Sequence, residues 1–198
     1  MRNSKAIALL DKIIDDNTDV MSNYISAAKA FGFRTFFIKD TRFRKTKDGL
    51  NDPIKCYGRS STVGFVERKE IRSHKEWIDC YKVFVPESNN IGTELNDDNQ
   101  NAFVGDIGTI CTETFLVVGA ELNLTANSAK NLCGYLKTKF ARFLHSLAKV
   151  SQHGTGKTYL FVPVVDFDEE WTDEKLYNKY GLNQDEIDLI ESSIKPMD

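Results

Sequence analysis

Only four cysteines and three histidines occur in the 198 residues. Cys56, Cys80, Cys111 and Cys133 form no C-x-x-C pair, and His74, His145 and His153 show no ligand spacing. That argues against both a zinc centre and a disulfide framework, and leaves four buried, reduced thiols as the expectation. No apolar run reaches the length of a membrane span, and Asp11, Asp15 and Asp16 stand where a secretory signal would stay apolar. A cytoplasmic protein without membrane attachment is expected.

Catalytic signatures are also missing. Transfer of a methyl group to an exocyclic amine needs an Asn/Asp-Pro-Pro-aromatic loop, and "DPIK" at 52–55 lacks both the second proline and the aromatic. A metal-dependent nuclease wants Asp followed by Glu-x-Lys, and Asp106 with "ETF" at Glu113 fails at the lysine. Glu113 reads better as a strand-end carboxylate making a structural hydrogen bond. No Gly-x-Ser-x-Gly elbow is present. No catalytic or metal-ligating residue is therefore assigned.

One stretch imitates a signature. "SQHGTGKTYLFVPVV", 151–165, contains GTGKT, but a phosphate-cradling loop needs glycine five residues before the Gly-Lys pair and a helix after it. Ser151 holds the first position, and the β-branched, aromatic run after Lys157 reads as a strand. The remaining readings are a solvated Gly-rich turn or a flexible loop carrying Gln152, His153 and Lys157 toward an anion.

What the chain does have is segregated charge. The net charge of -3 hides about thirteen Lys and Arg against about five acids between Lys29 and Lys75. Between Lys130 and Lys157 lie about six bases and no acid, and between Asp166 and Glu191 about ten acids against Lys175 and Lys179. A polyanion-facing side is one reading, and simply solvated faces the other. With 41% hydrophobic and 28% charged residues, the composition is that of an ordinary globular protein.

The periodicities predict an α+β fold of a single domain, residues 1–198: a twisted, largely antiparallel mixed sheet with helices at both chain ends. Ser4 is a candidate cap for a first helix with Ile7, Leu10, Ile13 and Ile14 on one face, and Val20, Tyr24 and Ile25 continue the apolar set. Strands are expected at 33–38, 54–58, 62–67, 81–86, 114–119 and 159–165, with Arg59 near a hairpin tip. Residues 87–109 read as a long loop, functional or disordered. One amphipathic helix is expected over about 126–150, capped by Thr125, with Phe140 and Leu144 on its core face. Two short helices follow, one capped by Thr172 and closed by Gly181, the other opened by an Asn183–Glu186 capping box.

In order along the chain, "FGFRT", "KCYGRSSTVGFVER", "WIDCYKVFVP", "TICTETFLVVG", "LCGYLKTKFARFLHSL" and "YLFVPVVDFDEEWTDEKLYNKYGL" resemble the C-terminal target-recognition region of adenine-specific DNA methyltransferases from bacterial restriction-modification systems, the TaqI-like specificity domain. The similarity runs from about Asp11 to about Met197. It implies a module that grips duplex DNA and reads bases, lacking the catalytic domain that binds S-adenosylmethionine and flips out the adenine. The partners implied are double-stranded DNA and a methyltransferase catalytic domain in cis or in trans. No cofactor is expected in this chain.

Phosphate neutralisation by Lys and Arg supplies sequence-independent affinity, and base choice needs forked donors on loops that reach a groove. The candidates are Arg34, Arg42, Arg44, Lys45, Lys47 and Arg59, then Gln152, His153, Lys157 and Tyr159, with Asn and Asp of the 87–109 loop as further base contacts. The alternative function is a protein-interaction module whose acidic tail and amphipathic helix dock a partner without touching DNA. A nucleotide-binding enzyme is a third.

Overall fold

A computed structural model describes residues 4–92, 98, 100–149, 151, 153–195 and 197, with only the backbone described at 4 and 5. Its helices are α1 (Ser4–Ile13), α2 (Ala126–Lys137), α3 (Lys139–Ala148), α4 (Asp173–Lys179) and α5 (Gln184–Ser193). Its strands are β1 (Pro53–Tyr57), β2 (Val63–Glu67), β3 (Lys82–Pro86), β4 (Phe103–Gly105), β5 (Thr109–Cys111) and β6 (Phe115–Val118). The class is α+β. In place of one sheet, the described residues form two of three strands each. One is ordered β2-β1-β5, with β2 antiparallel and β5 parallel to β1, and the other is the antiparallel β4-β3-β6.

The β3–β6 pair organises the rest. Its register sets Val83 opposite Val118, Phe84 opposite Val117 and Val85 opposite Leu116. Successive strand side chains point to opposite faces. Val83, Val85, Leu116 and Val118 therefore enter a core shared with the helices, while Phe84 and Val117 enter a second, aromatic core. A strand covered on both faces reads as a continuous apolar run, and "KVFVP" is buried from Lys82 through Val85. The helical core holds Leu9, Leu132, Phe140, Leu144 and Ile190. The aromatic core holds Phe31, Phe33, Phe37, Ile54, Trp77 and Ile110.

Four expected elements differ, and the 87–109 stretch read as a loop holds β4 and the first residue of β5. Residues 33–38 form no strand: Thr35–Lys39 is a 3₁₀ helix, and the Phe33 and Phe37 rings stack at 4.0 Å. In a strand, rings four residues apart would be separated by roughly 13 Å. The 159–165 stretch follows a 3₁₀ helix at Gly156–Tyr159 and pairs only at a bridge between Pro163 and Val20. Pro163 has no N–H to extend a ladder. The single helix over 126–150 is two, because Thr138 adopts ψ 151°. Its hydroxyl accepts the Ala141 N–H at 3.1 Å and donates to the Tyr135 carbonyl at 2.7 Å, while Asp173 accepts the Lys139 and Phe140 N–H groups at 3.1 and 2.8 Å. In α1 the buried face is Ala6, Leu9 and Ile13, and Ile7 is exposed. The Ser4 side chain and Val150 lie outside what is described. Val20–Ile25 is a 3₁₀ turn at Met21–Tyr24 flanked by extended residues, not a continued helix.

The hairpin between β1 and β2 closes through Gly58–Thr62, with Ser60 and Ser61 both at φ 56°. Two successive left-handed residues match the strand twist and hold Arg59 at an exposed tip. At the C-terminal end the Thr172 hydroxyl caps α4, Gly181 turns the chain at φ 59°, and Asn183 and Glu186 cap α5 reciprocally at 3.0 and 2.8 Å. All four cysteines are unpaired; Cys80 is partly exposed and the others are buried.

Phe140 is fully buried and stacks on Tyr180 at 5.2 Å across the α3–α4 contact. Phe140→Ala is expected to cost about 3–5 kcal/mol of stability. A urea titration of both proteins measures it, and an unchanged midpoint would show that this face does not hold the helical core together.

Candidate nucleic-acid interface

The GTGKT loop has the composition of a phosphate cradle but not its geometry. Gly154 donates its N–H to the Glu87 carbonyl at 2.6 Å, Thr155 to the Thr158 hydroxyl at 3.2 Å, and Thr158 to the Thr155 carbonyl at 3.0 Å. Three of the loop's amides are thus spent inside the protein, and the turn that follows is four residues of 3₁₀ helix rather than an α-helix. The glycines serve close packing. A Cβ on Gly156 would lie 3.3 Å from the Ser22 carbonyl oxygen and 3.5 Å from that of Ile25.

Beside this loop lies a groove of about 850 Å³, lined by Leu116, Ile25, Ala27 and Leu160 and by the charged Lys157 and Glu87. An adjoining cavity of about 530 Å³ shares Ala28 and Glu87 with it and adds Arg59, His153, Thr35 and Glu113. The two carboxylates are already committed. Glu113 accepts the Thr35 N–H at 3.0 Å and its hydroxyl at 3.3 Å, and Glu87 pairs with His153 at 2.8 Å. Glu113 is thus the structural strand-end carboxylate its position suggested.

The sequence candidates divide by what already holds them. Arg34, Arg44, Lys45, Lys47, Arg59 and Lys157 are exposed and make no ion pair with a described carboxylate. Arg42 is different: its guanidinium holds Asp40 at 2.7 Å and Glu70 at 3.3 Å and lies 5.3 Å from the Phe37 ring centroid. The Arg42 hydrogen bonds hold the Asp40 carboxyl down at about 2. Tyr159 is corrected outright. It is 1% exposed, accepts a hydrogen bond from the Gln100 amide at 3.0 Å, and belongs to the helical core. Within the 87–109 loop, Asn89 and Asp98 are each 2% exposed and face no groove, whereas Asn101 and Asp106 are exposed. Gln152, 93–97 and 99 lie outside the described residues.

The free cations connect through residues the sequence reading passed over. Arg44 pairs its backbone with Phe65 on the open edge of β2, and Lys47 Nζ sits 5.3 Å over the Phe65 ring. Phe65 lies opposite Lys55 in the β1–β2 register, and Lys55 Nζ sits 4.9 Å over the Tyr57 ring. Two residues after Tyr57 comes Arg59, which shares its cavity with His153. Lysines and half-buried rings thus run from the basic loop at 43–50 toward the cavity that adjoins the groove. The signal was present: strand alternation puts Lys55, Tyr57, Val63 and Phe65 on one face.

A second polar cluster is closed to solvent. Arg142 and Asp98 form a pair at 2.6 Å, with side chains 5% and 3% exposed, and Lys149 Nζ donates to Asn89 and to the Ile91 carbonyl. Next to them His145 is 1% exposed, lies 4.1 Å from the Tyr159 ring and makes no well-formed hydrogen bond from either nitrogen to a described residue, the Thr158 backbone being a polar influence on it. Burial, helped by the Lys149 charge and opposed by the Thr158 backbone, pushes its pKa from 6.5 down to about 3. The folded protein therefore keeps the ring neutral where the unfolded chain protonates it. Its contribution is intact above about pH 6.5 and is lost as the pH falls toward 3. Between pH 7 and pH 5 the loss is expected to be about 2 kcal/mol. His145→Gln, which cannot titrate, should show a correspondingly smaller loss in urea titrations at the two pH values. Equal losses in both proteins would contradict a buried neutral imidazole.

Among the described residues no helix is long and apolar enough to cross a membrane. No protein-family model matches this chain, and no curated protein matches it.

Proposed function

We propose that this chain is a duplex-DNA recognition module, the target-recognition part of an adenine-N6 DNA methyltransferase of a restriction-modification system. It acts with a methyltransferase catalytic domain in cis or in trans that holds S-adenosylmethionine. One observation carries the reading: six exposed cations, Arg34, Arg44, Lys45, Lys47, Arg59 and Lys157, lack a described carboxylate partner. Arg68, by contrast, is bound to Asp52 and Asp79, and Lys139 to Glu191. Exposed cations left free are available to phosphates, whose neutralisation releases counterions and drives association. Arg44 and Arg59 also have the fork that fits a guanine edge, one on the 43–50 loop and one on the hairpin tip.

The protein-docking alternative loses its main surface. Leu136, Phe140 and Leu144, the apolar face it would use, are already buried against the sheet and the C-terminal helices. Part of the acidic tail is likewise engaged within the chain, Glu186 buried on Lys12 and Glu191 paired with Lys139 at the surface.

The test is the salt dependence of duplex binding, followed by fluorescence anisotropy. Replacing Arg44, Lys45 and Lys47 together with alanine should lower the slope of log K against log[salt] by up to about 3 units, and Lys157→Ala by about 1. Arg42→Ala, removing a guanidinium already held by carboxylates, should leave the slope in place. Wild-type protein with no salt-dependent affinity for duplex, or equal slopes in all variants, would refute the assignment.

A further inference from the structure

Phe36 is the most exposed of the large apolar side chains described, at 67%. It is not a frayed residue. It sits in the Thr35–Lys39 3₁₀ helix, whose neighbours on either side are locked. Phe33 and Phe37 stack at 4.0 Å in the aromatic core, and Phe43 meets Phe37 edge-on at 6.1 Å. Glu113 accepts the Thr35 N–H and hydroxyl from below and donates its own N–H to the Phe33 carbonyl at 2.9 Å. Ile38 packs so close to Gly58 that a Cβ there would lie 2.4 Å from its methyl, which ties the turn to the Arg59 hairpin tip.

The surroundings of the ring select its partner. Arg34 is exposed two residues before it, and Lys39 Nζ lies 5.9 Å from its centroid. Asp40 is bound by Arg42, and Glu113 by Thr35. An apolar ring on a rigid turn, flanked by free cations while nearby carboxylates are occupied, complements a polyanion with an apolar interior. Duplex DNA is that partner, and apolar side chains of this kind wedge between base steps and unstack them.

We infer that Phe36 is a base-stacking wedge, inserted into a base step while Arg34, Lys39 and Arg59 hold the flanking phosphates. The inference rests on the duplex-binding reading above and names the part of the chain that would distort the duplex. A ring held in advance loses little freedom on insertion, and it favours DNA in which the step is already opened.

The probes are a short mixed-sequence duplex and the same duplex carrying one abasic site. Wild type should bind the abasic duplex about tenfold more tightly, because part of the unstacking cost is spared there. Phe36→Ala should bind both duplexes alike and keep the wild-type salt slope, and its unfolding midpoint should be unchanged because the side chain is exposed. Phe36→Trp should keep the preference, and its indole emission should be quenched by the abasic duplex, over a background from Trp77 and Trp171, each only 9% exposed. Salt-dependent binding without abasic preference, or a preference that survives in Phe36→Ala, overturns the wedge while leaving duplex binding intact. Wild type that binds neither duplex overturns both.

Discussion

A two-stranded antiparallel contact, β3 on β6, is buried on both faces, and the rest of the fold is arranged by that fact. Val83 and Val85 point one way and Phe84 the other. The chain must therefore supply two separate apolar covers. Helices α1 to α5 supply one, and the aromatic segment from Ala30 to Ile78 with β1, β2 and β5 supplies the other. The alternation of a single five-residue strand thus separates the acidic C-terminal helices from the basic segment at 29–75. Charge that looks merely clustered along the sequence is distributed to different cores.

Within those two halves the bases have different fates. In the run from Lys130 to Lys157, Lys139 pairs with Glu191, Arg142 with Asp98, and Lys149 caps carbonyl oxygens of the 87–92 segment. These groups knit helices and loop together. In the 29–75 run, Arg42 and Arg68 are tied to carboxylates, while Arg34, Arg44, Lys45, Lys47 and Arg59 have no partner among the described carboxylates. Counting charges alone would treat both segments as one polyanion-binding surface. Ion pairing removes Arg42, Arg68, Lys139 and Arg142 from it, and the candidate surface is the part of the remainder on the 43–50 loop, the hairpin tip, the Thr35–Lys39 turn and Lys157.

The legible parts of the sequence were those decided locally. A capping box at Asn183, a hydroxyl cap at Thr172 and alternation in "IKCYG" and "TVGFVE" are settled within a few residues. What was not legible depended on distant partners. Thr138 splits the long helix with help from Asp173, thirty-odd residues on, and Phe33–Phe37 becomes a turn because its rings stack in the aromatic core. The candidate site shows the same division. Exposure of Arg44, Lys45 and Lys47 followed from a polar loop, whereas the capture of Arg42 by Glu70 and the burial of Tyr159 against Gln100 needed the fold.

Backbone amide chemical shifts during titration with a duplex at low salt test the central claim most directly, because they report where the nucleic acid lies. Duplex binding through the free cations predicts perturbations concentrated at Arg34–Lys39, Arg44–Lys47, Arg59 and the loop at Lys157, fading as salt is raised. Shifts confined to α4 and α5, or none at any salt concentration, would contradict it.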